Sequence, residues 1–280
     1  MWIWMALASA MLLGAYDVAK KAALRHNDVY IVLLGATALS VLFLSPFLSH
    51  GSPGDHLRLA FKAVLVTSSW VSGMYALKLL PITLVSTYKA SRPMFVVVLS
   101  MLIFGERLNP WQLAGVLSVL AALYLLSRNG VKEGIHIRSN KGMWALALSI
   151  ATGVASALYD KQLMTGMQPL FVQSWTNVYI TLLLFICVFA RGLRNGNGPM
   201  RADWRILLIA VFITGADMLY FFALKQDGAM LSVISLVRRC SVVVTFALGA
   251  AIFREKNLRA KAGALAVMLA GMAFLTIGSI

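Results

Sequence analysis

The sequence predicts an all-α integral membrane protein with ten transmembrane helices, arranged as two inverted repeats of five helices each. Three observations support this prediction. Of the 280 residues, 60% are hydrophobic and only 12% are charged, whereas a soluble domain has about 25% charged residues. The apolar segments are each close to the roughly 20 residues that cross a hydrocarbon core as a helix. The chain also repeats short motifs in its two halves.

Each predicted span is an apolar segment bounded by turn-forming or charged residues. Breaks such as 51–54 and 194–199 are rich in Gly, Pro, Ser and Asn, which favour turns. The polar stretch 128–141 is expected to link a first five-helix domain, 1–127, to a second, 142–280. The predicted spans are 2–22, 29–49, 60–79, 83–103, 110–127, 142–163, 170–190, 204–225, 230–252 and 260–279.

Matching motifs occur at equivalent places in the two halves. They are Tyr16-Asp17 with Tyr159-Asp160, Ala76-Leu77-Lys78 with Ala223-Leu224-Lys225, Phe104-Gly105-Glu106-Arg107 with Phe253-Arg254-Glu255-Lys256, and Gly115-Val116-Leu117 with Gly263-Ala264-Leu265. Their nearly constant offset predicts a duplication. Because each copy has an odd number of spans, the second must enter from the opposite membrane face, as in many secondary transporters.

The formal net charge of +15 indicates membrane topology and not nucleic-acid binding, because most bases lie in short loops between apolar segments. Sixteen of the 25 Lys and Arg residues fall on one predicted face and five on the other; Lys62 and Lys261 are counted among these loop bases. The positive-inside rule then places both termini outside a plasma (inner) membrane. Residues 1–5 lack signal-peptide features and are expected to begin the first span.

The other four bases lie deep inside predicted spans, away from the span ends. Lys89 and Arg92 belong to span four, and Arg238 and Arg239 to span nine. A cation at the bilayer centre costs at least about 2.5–3.5 kcal/mol, so such residues are usually functional. Because spans four and nine enter from opposite faces, Arg92 is expected to meet the arginine pair near the bilayer centre. Adjacent residues point about 100° apart on a helix, so at most one arginine of that pair is expected to face straight into a cavity.

These bases predict a central anion site. Arginine binds phosphate or carboxylate with two parallel hydrogen bonds, and lysine acts as a point charge. Tyr88 is assigned to the same site because it lies four residues before Arg92 on one helical face, and Pro93 is expected to bend the helix there. The alternative is that the bases neutralise buried acids and hold the bundle together.

Buried acids and aromatic residues complete the candidate site. Proton coupling and static ion pairing are both open for three carboxylates inside the spans: Asp17, Asp160 and Asp217. The nearby Lys20 and Lys161 favour ion pairs for the first two, and a central base is the expected partner of the third. Cavity walls are assigned to Trp70, Tyr75, Trp175 and Tyr220, with simple packing as the alternative. The four histidines are expected in loops, and neither a metal nor a cofactor is predicted.

Two related motifs resemble those of a known family: 104–115, a loop leading into a Gly- and Ala-rich fifth helix, and its copy 253–263. On these motifs the chain resembles the ten-helix EamA-type members of the drug/metabolite transporter (DMT) superfamily. The resemblance covers nearly the whole chain and implies alternating access, with a central cavity between the halves. The bases of spans four and nine also resemble those that hold phosphate in plastid triose-phosphate translocators. Asp17 and Asp160 depart from residues that are frequent in the family.

We therefore expect a secondary transporter of a small organic anion, such as a phosphorylated, phosphonate or carboxylate metabolite. Its expected partners are this substrate and the lipid bilayer, without nucleic acid, and it is expected to be a monomer or homodimer. No G-x-x-x-x-G-K-[ST] motif for ATP is present, so a gradient or a counter-substrate must supply energy. The alternative is an exporter of amino acids or amphiphilic drugs. A membrane-embedded enzyme or lipid-handling partner is a remote alternative, and no catalytic motif predicts an enzyme.

Overall fold

A computed structural model of the chain describes residues 2–104, 109–132, 140–163, 166–195, 203–224, 237–253, 255 and 257–278. Over these residues the secondary structure is helical, which confirms the predicted all-α class for this part of the chain. The helices are α1 (Trp2–Ala23), α2 (Val29–Leu44), α3 (Pro53–Leu79), α4 (Ile82–Ala90), α5 (Arg92–Phe104), α6 (Pro110–Lys132), α7 (Lys141–Leu163), α8 (Pro169–Asn195), α9 (Trp204–Leu224), α10 (Ser241–Phe253) and α11 (Leu258–Ile277). A 3-10 turn, Ser45–Phe47, follows α2.

Six helices of the described ranges are long and apolar enough to cross a membrane. Their membrane-compatible segments are Ile3–Ala23, Val29–Phe47, Pro110–Arg128, Lys141–Asp160, Leu170–Gly192 and Leu258–Ile277. The chain is therefore a multi-pass membrane protein. The count of ten spans stays a prediction.

The predicted fourth span, 83–103, is not one helix. α4 has 9 residues and α5 has 13, so neither piece alone reaches the roughly 20 residues of a span. The interruption at Ser91 lies two residues before Pro93, whose ring has no N–H to donate and clashes with the preceding turn. In the predicted ninth span, 230–236 lies outside the described residues, a helical turn covers 237–239, and α10 follows.

The main helix contacts join the first half of the chain to the second. α1 packs on α9 and α3 on α7, whereas α2 packs on α8 and α6 on α11. In the predicted repeat, α1 of the first half corresponds to α7 of the second, and α3 corresponds to α9. The contact of α1 with α9 is then the counterpart of the contact of α7 with α3. A two-fold relation between the halves would produce this pattern. The inverted orientation and the domain boundaries stay predictions, and 133–139 of the linker lies outside the described residues.

α6 and α11 approach each other closely at two glycines. A Cβ on Gly115 would lie 2.8 Å from the carbonyl oxygen of Gly271, and one on Gly271 would lie 3.0 Å from that of Gly115. Small residues permit such close contact between membrane helices. The contact lies within one chain and therefore joins the ends of the two halves.

Two lysines that were expected in loops are buried in helices. Lys62 of α3 is 9% exposed and Lys261 of α11 is 1% exposed. The Nζ of Lys62 lies 2.6 Å from Oδ1 of Asp160, and the Nζ of Lys261 lies 3.9 Å from Oε2 of Glu255. The loop assignment was wrong: the predicted spans already began at 60 and 260, and α3 begins still earlier, at Pro53, so Lys62 lies well inside its helix.

Candidate functional site

Two helix breaks with the same backbone pattern lie at the centre of the candidate site. The N–H of Ser91 donates to the carbonyl oxygen of Tyr88 at 3.1 Å, and the N–H of Cys240 donates to that of Val237 at 3.0 Å. Both bonds span three residues and tighten the chain before a new helix begins. Interrupted helices are typical of transporter binding sites, because their free ends supply polar groups inside the bundle.

The start of α4 is bound by an acid from the other half of the chain. Oε1 of Glu255 accepts a hydrogen bond from the N–H of Ile82 at 2.6 Å, and Oε2 accepts one from the N–H of Thr83 at 3.3 Å. A carboxylate at a helix N-terminus bonds unpaired N–H groups and complements the helix dipole. Glu255 therefore holds α4, and the base near its end, in place against the second half.

A cavity of about 370 Å³, here called the cationic cavity, lies between the two breaks. Three of its lining residues are bases and one is an acid. It is lined by Leu13, Asp17, Ser86, Lys89, Ala90, Tyr220, Arg238, Arg239, Ser241, Val242 and Met272. The acid, Asp17, is already bonded to Lys20, whose Nζ lies 2.6 Å from its Oδ1, and to the hydroxyl of Thr245 at 3.3 Å. The cavity therefore has an excess of positive charge.

The ammonium of Lys89 occupies space on α3 that a glycine leaves open. A Cβ on Gly73 would lie 2.7 Å from the Nζ of Lys89 and 2.8 Å from the Oγ of Ser149. Asp17 pairs with Lys20 and Asp217 pairs with Arg238, and no ion pair joins Lys89 to a carboxylate among the described residues. Lys89 thus has no carboxylate partner among these acids.

Arg238, unlike Lys89, is neutralised by an acid. Its guanidinium forms an ion pair with Oδ1 of Asp217, and its Cζ lies 4.6 Å from the ring centre of Tyr220. The second carboxylate oxygen, Oδ2 of Asp217, accepts a hydrogen bond from Nε2 of Gln173 at 3.0 Å. Both oxygens of the carboxylate are therefore bonded in this conformation.

Arg239 lies next to Arg238 and lines the same cavity. Its side chain is exposed, and it makes no ion pair with a carboxylate within the described ranges. The expectation that at most one arginine would face the cavity assumed a continuous helix. Arg238 and Arg239 both line the cavity, and which of them points straight into it stays a prediction.

A larger cavity of about 590 Å³, here called the large cavity, lies beside the first. Its charged lining residues are two bases and two acids, and each of the four is in an ion pair. It is lined by Tyr16, Lys20, Val32, Leu33, Ala36, Thr37, Ser40, Leu44, Lys62, Val66, Trp70, Met74, Asp160, Val172, Gln173, Thr176, Asn177, Ile180, Ile209, Ile213, Thr214, Asp217 and Tyr220. Most of its wall is apolar, and its charges are balanced.

The two cavities share a wall. Tyr220 lines both of them. Asp217 lines the large cavity while its partner Arg238 lines the cationic cavity, and Lys20 lines the large cavity while its partner Asp17 lines the cationic one. Two ion pairs therefore cross the wall, and one of them is stacked on the shared tyrosine.

Comparison with known proteins identifies the family. The model of the EamA-like transporter family matches residues 1–128 and 140–277. The chain belongs to the EamA-like transporter family. This family is part of the DMT superfamily, so the resemblance seen in the sequence is confirmed. No curated protein matches the chain.

The fold of this EamA-like transporter also occurs in a solved structure, described only as a crystal structure of a protein. That structure matches with a TM-score of 0.63 and 15% sequence identity, over 98% of this chain and 96% of the other. Such a likeness shows a shared fold. Family membership shows a membrane transporter of small molecules, and members of the family are transporters and not enzymes.

Arg92 does not line the cationic cavity, unlike the other three bases. Its Nη2 donates to the carbonyl oxygen of Ser149 at 2.8 Å, to the Oγ of Ser149 at 3.0 Å and to the Oγ of Ser69 at 3.1 Å. A Cβ on Gly153 would lie 2.7 Å from its Cζ. α5 packs on α7, so Arg92 lies outside the cationic cavity lining and bonds both α3 and α7, which joins the two halves. Tyr88 packs against the hydrophobic core and is also absent from that lining.

The four aromatic residues predicted to wall a cavity separate into two pairs. Trp70 and Tyr220 line the large cavity. Tyr75 packs against the core, and Trp175 packs edge-on against His56 with ring centres 4.5 Å apart. Neither member of this second pair lines the large or the cationic cavity. His56, which was expected in a loop, lies in the first turns of α3.

Sequence reasoning missed several polar residues of the large cavity, among them Lys62 and Gln173. Lys62 was assigned to a loop and is instead the partner of Asp160. Gln173 lies four residues before Asn177, and both line the cavity. Residues four apart share a helical face, so this amide pair inside an apolar span was a usable signal.

The described side chains do not form a metal site. No group of three or more His, Cys, Asp or Glu in these ranges is placed to hold a metal ion. The candidate site instead offers cations, hydroxyls and amides, which bind organic and anionic groups.

Proposed function

We propose that the chain is a secondary active transporter that moves a small organic anion, such as a phosphorylated, phosphonate or carboxylate metabolite, by alternating access. The observation that carries the proposal is the cationic cavity, where Lys89 and Arg239 make no ion pair with a described carboxylate. A half-buried cation such as Lys89 costs free energy when it has no counter-charge inside a membrane protein, and the exposed Arg239 is accessible to an anion. An anionic substrate would supply that counter-charge.

The lining suits phosphate or carboxylate in particular. A guanidinium offers a planar fork that bonds two oxygens, and an ammonium adds a point charge. Arg238 and Arg239 supply two forks and Lys89 supplies the ammonium. Ser241, which begins α10, lines the same cavity, so unpaired N–H groups of a helix start also lie near the proposed anion.

Asp217 forms an ion pair with Arg238 in this conformation. It would therefore compete with a substrate anion for the guanidinium. This ion pair crosses the wall between the two cavities. A substrate anion that displaces Asp217 from Arg238 therefore breaks one contact across that wall. A ligand can shift a conformational equilibrium only by bonding one state better than the other. A substrate that takes the place of Asp217 on Arg238 makes a contact that exists only in the state where this ion pair is broken. Substrate binding is thereby linked to movement of the wall.

Transport into proteoliposomes tests the proposal. Purified protein is reconstituted, and uptake of labelled phosphate esters and carboxylates is measured against counter-substrate and proton gradients. We expect Arg239→Gln to lower uptake of the transported anion by about 10-fold or more, since one charge-assisted contact contributes about 1.5–3 kcal/mol. Arg259→Gln is the matched control, because Arg259 is exposed and lines neither cavity.

Uptake at the wild-type rate in Arg239→Gln would contradict the anion site. A ligand panel in a thermal-unfolding assay separates the remaining alternative. Stabilisation by amino acids or lipophilic cations, and by none of the phosphates, phosphonates or simple carboxylates, would favour an amino-acid or drug exporter instead.

A further inference from the structure

Three uncharged polar atoms in the wall of the large cavity are buried and make no hydrogen bond: the amide oxygen of Gln173 and the hydroxyls of Thr176 and Thr214. Thr176 is only 5% exposed. Buried polar groups nearly always have a partner, because an unpaired one costs about 1–3 kcal/mol. These atoms therefore point to a ligand group that bonds them.

Other hydroxyls in the same wall behave differently. The hydroxyl of Thr37 donates to the carbonyl oxygen of Leu33 at 2.9 Å, and that of Ser40 donates to Ala36 at 3.0 Å. Such bonds to the preceding helical turn are the usual solution for Ser and Thr in apolar helices. The hydroxyls of Thr176 and Thr214 do not use this solution, so they are available to another molecule.

The orientation of the Gln173 amide determines which kind of ligand group can bind it. Its Nε2 donates to Oδ2 of Asp217 at 3.0 Å, and a carboxylate oxygen can only accept, which fixes the orientation of the amide. The free Oε1 is therefore an acceptor and requires an O–H or N–H donor. The charged residues of this cavity are all in ion pairs, so an added ammonium would find no free carboxylate. A neutral hydroxyl fits best.

The position of the wall links this pocket to the anion site. Asp217 lines the large cavity and contacts Arg238 of the cationic cavity. An anion that replaces Asp217 on Arg238 therefore lies at the edge of the large cavity, and the remainder of the molecule extends into it. At about 590 Å³ the large cavity is within the usual size range of small-molecule sites, about 300–1,000 Å³.

We propose that the large cavity binds the uncharged, hydroxylated part of the substrate through Gln173, Thr176 and Thr214. The substrate is then a hydroxylated organic anion, with its acidic group on the bases and its hydroxyls on these three residues. This inference rests on the proposed function, since it assigns the second part of the molecule whose acidic group occupies the cationic cavity.

Matched phosphate esters test the inference on the full-length protein in detergent. Glycerol phosphate and propyl phosphate have the same charge and carbon number and differ by two hydroxyls; aminopropyl phosphate replaces these with an amine. Dissociation constants are measured by calorimetry, with inorganic phosphate as the probe of the bases alone. We expect glycerol phosphate to bind about 10-fold more tightly than propyl phosphate, from two net hydrogen bonds.

Two substitutions locate this preference. Thr176→Val keeps the side-chain shape and should reduce the preference to about 2-fold or less, while inorganic phosphate binds as before, which also shows that the variant is folded. Thr181→Val is the control, because Thr181 donates to the carbonyl oxygen of Asn177 at 2.8 Å and lines neither cavity. It should retain the full preference.

The outcomes distinguish this inference from the anion proposal. Equal binding of glycerol and propyl phosphate, tighter binding of aminopropyl phosphate, or a preference that survives Thr176→Val and Thr214→Val would overturn the inference alone. Failure of the wild-type protein to bind inorganic phosphate and all three esters would overturn the phosphate site and this inference together.

Discussion

The two helix breaks have the same backbone but differ in how their bases are neutralised. In each, the break residue, Ser91 or Cys240, donates its N–H to the carbonyl oxygen three residues back. A base precedes each break by two residues, Lys89 in the first half and Arg238 in the second. Arg238 contacts Asp217. Lys89 lies against α3, where Gly73 leaves space, and no described carboxylate pairs with it.

The comparison shows that the same kind of helix break can hold either a base paired with an acid or a base without such a partner. A base without a carboxylate partner can bond an anion without displacing an acid, whereas a paired base becomes available only when its acid is displaced. On the proposed function, Lys89 with Arg239 recruits the anion and Arg238 responds to it. Four substitutions test this division, and they are given below from the largest expected effect to the smallest.

Replacement of the unpaired base should have the largest effect. Lys89→Met removes one of the proposed recruiting charges, and we expect uptake of the anion by proteoliposomes to fall by about 100-fold, from loss of a buried charge-assisted contact. The melting temperature should be unchanged or higher, because an uncompensated cation has been removed. Lys78→Met is the control, since Lys78 is exposed at the end of α3. Uptake at the wild-type rate by Lys89→Met would show that Lys89 does not recruit the anion.

Removal of the acid from the paired break should have the opposite effect on binding. Asp217→Asn makes Arg238 available at all times, so the dissociation constant of the anion should fall by about 10-fold if the pair is formed about 90% of the time. Calorimetry measures this constant, and uptake should slow because the wall no longer responds to the substrate. Asp160→Asn breaks the ion pair with Lys62 and should not tighten binding. Weaker binding by Asp217→Asn would show that Asp217 does not compete with the anion for Arg238.

A methyl group beside Lys89 should have a moderate effect. In Gly73→Ala the new Cβ would lie 2.7 Å from the Nζ of Lys89, so the flexible end of the lysine must move. The Oγ of Ser149 would lie 2.8 Å from the new Cβ and must also shift. We expect uptake to fall by about 5-fold, since roughly 1 kcal/mol of misplaced contact has this size. Gly263→Ala, where no atom lies within 4 Å of the new Cβ, should transport normally. Equal uptake by the two variants would show that the position of Lys89 is not restricted.

The smallest effect is expected at the anchor of Arg92, just after the first break. Ser149→Ala removes the hydroxyl that donates to the carbonyl oxygen of Ser69 at 2.7 Å and accepts from Arg92 at 3.0 Å. Loss of these bonds should lower stability by about 1–2 kcal/mol, measured by thermal unfolding. Ser118→Ala loses only a bond to its own helix and should change less. Identical melting temperatures would show that Ser149 does not join the halves.

Much of the fold class could be predicted because composition and apolar segment length act locally. The ion pair of Asp17 with Lys20 was also within reach, because three residues on a helix bring the two side chains together. The pair of Lys62 with Asp160 was not, since it joins two helices whose relative rotation no local pattern encodes. For the same reason the sequence placed Arg92 with the other bases, whereas the break turns it towards α7.

The sequence by itself determined a multi-pass helical protein with bases inside its apolar segments, because composition and segment length are properties of the local sequence; its motifs added the likeness to a transporter family. Only the tertiary structure decided which base meets an acid and which stays without one. That choice depends on where each helix breaks and on which residues of other helices surround it. Lys89 and Arg238 are alike in sequence context and differ in the acid that packing brings to them.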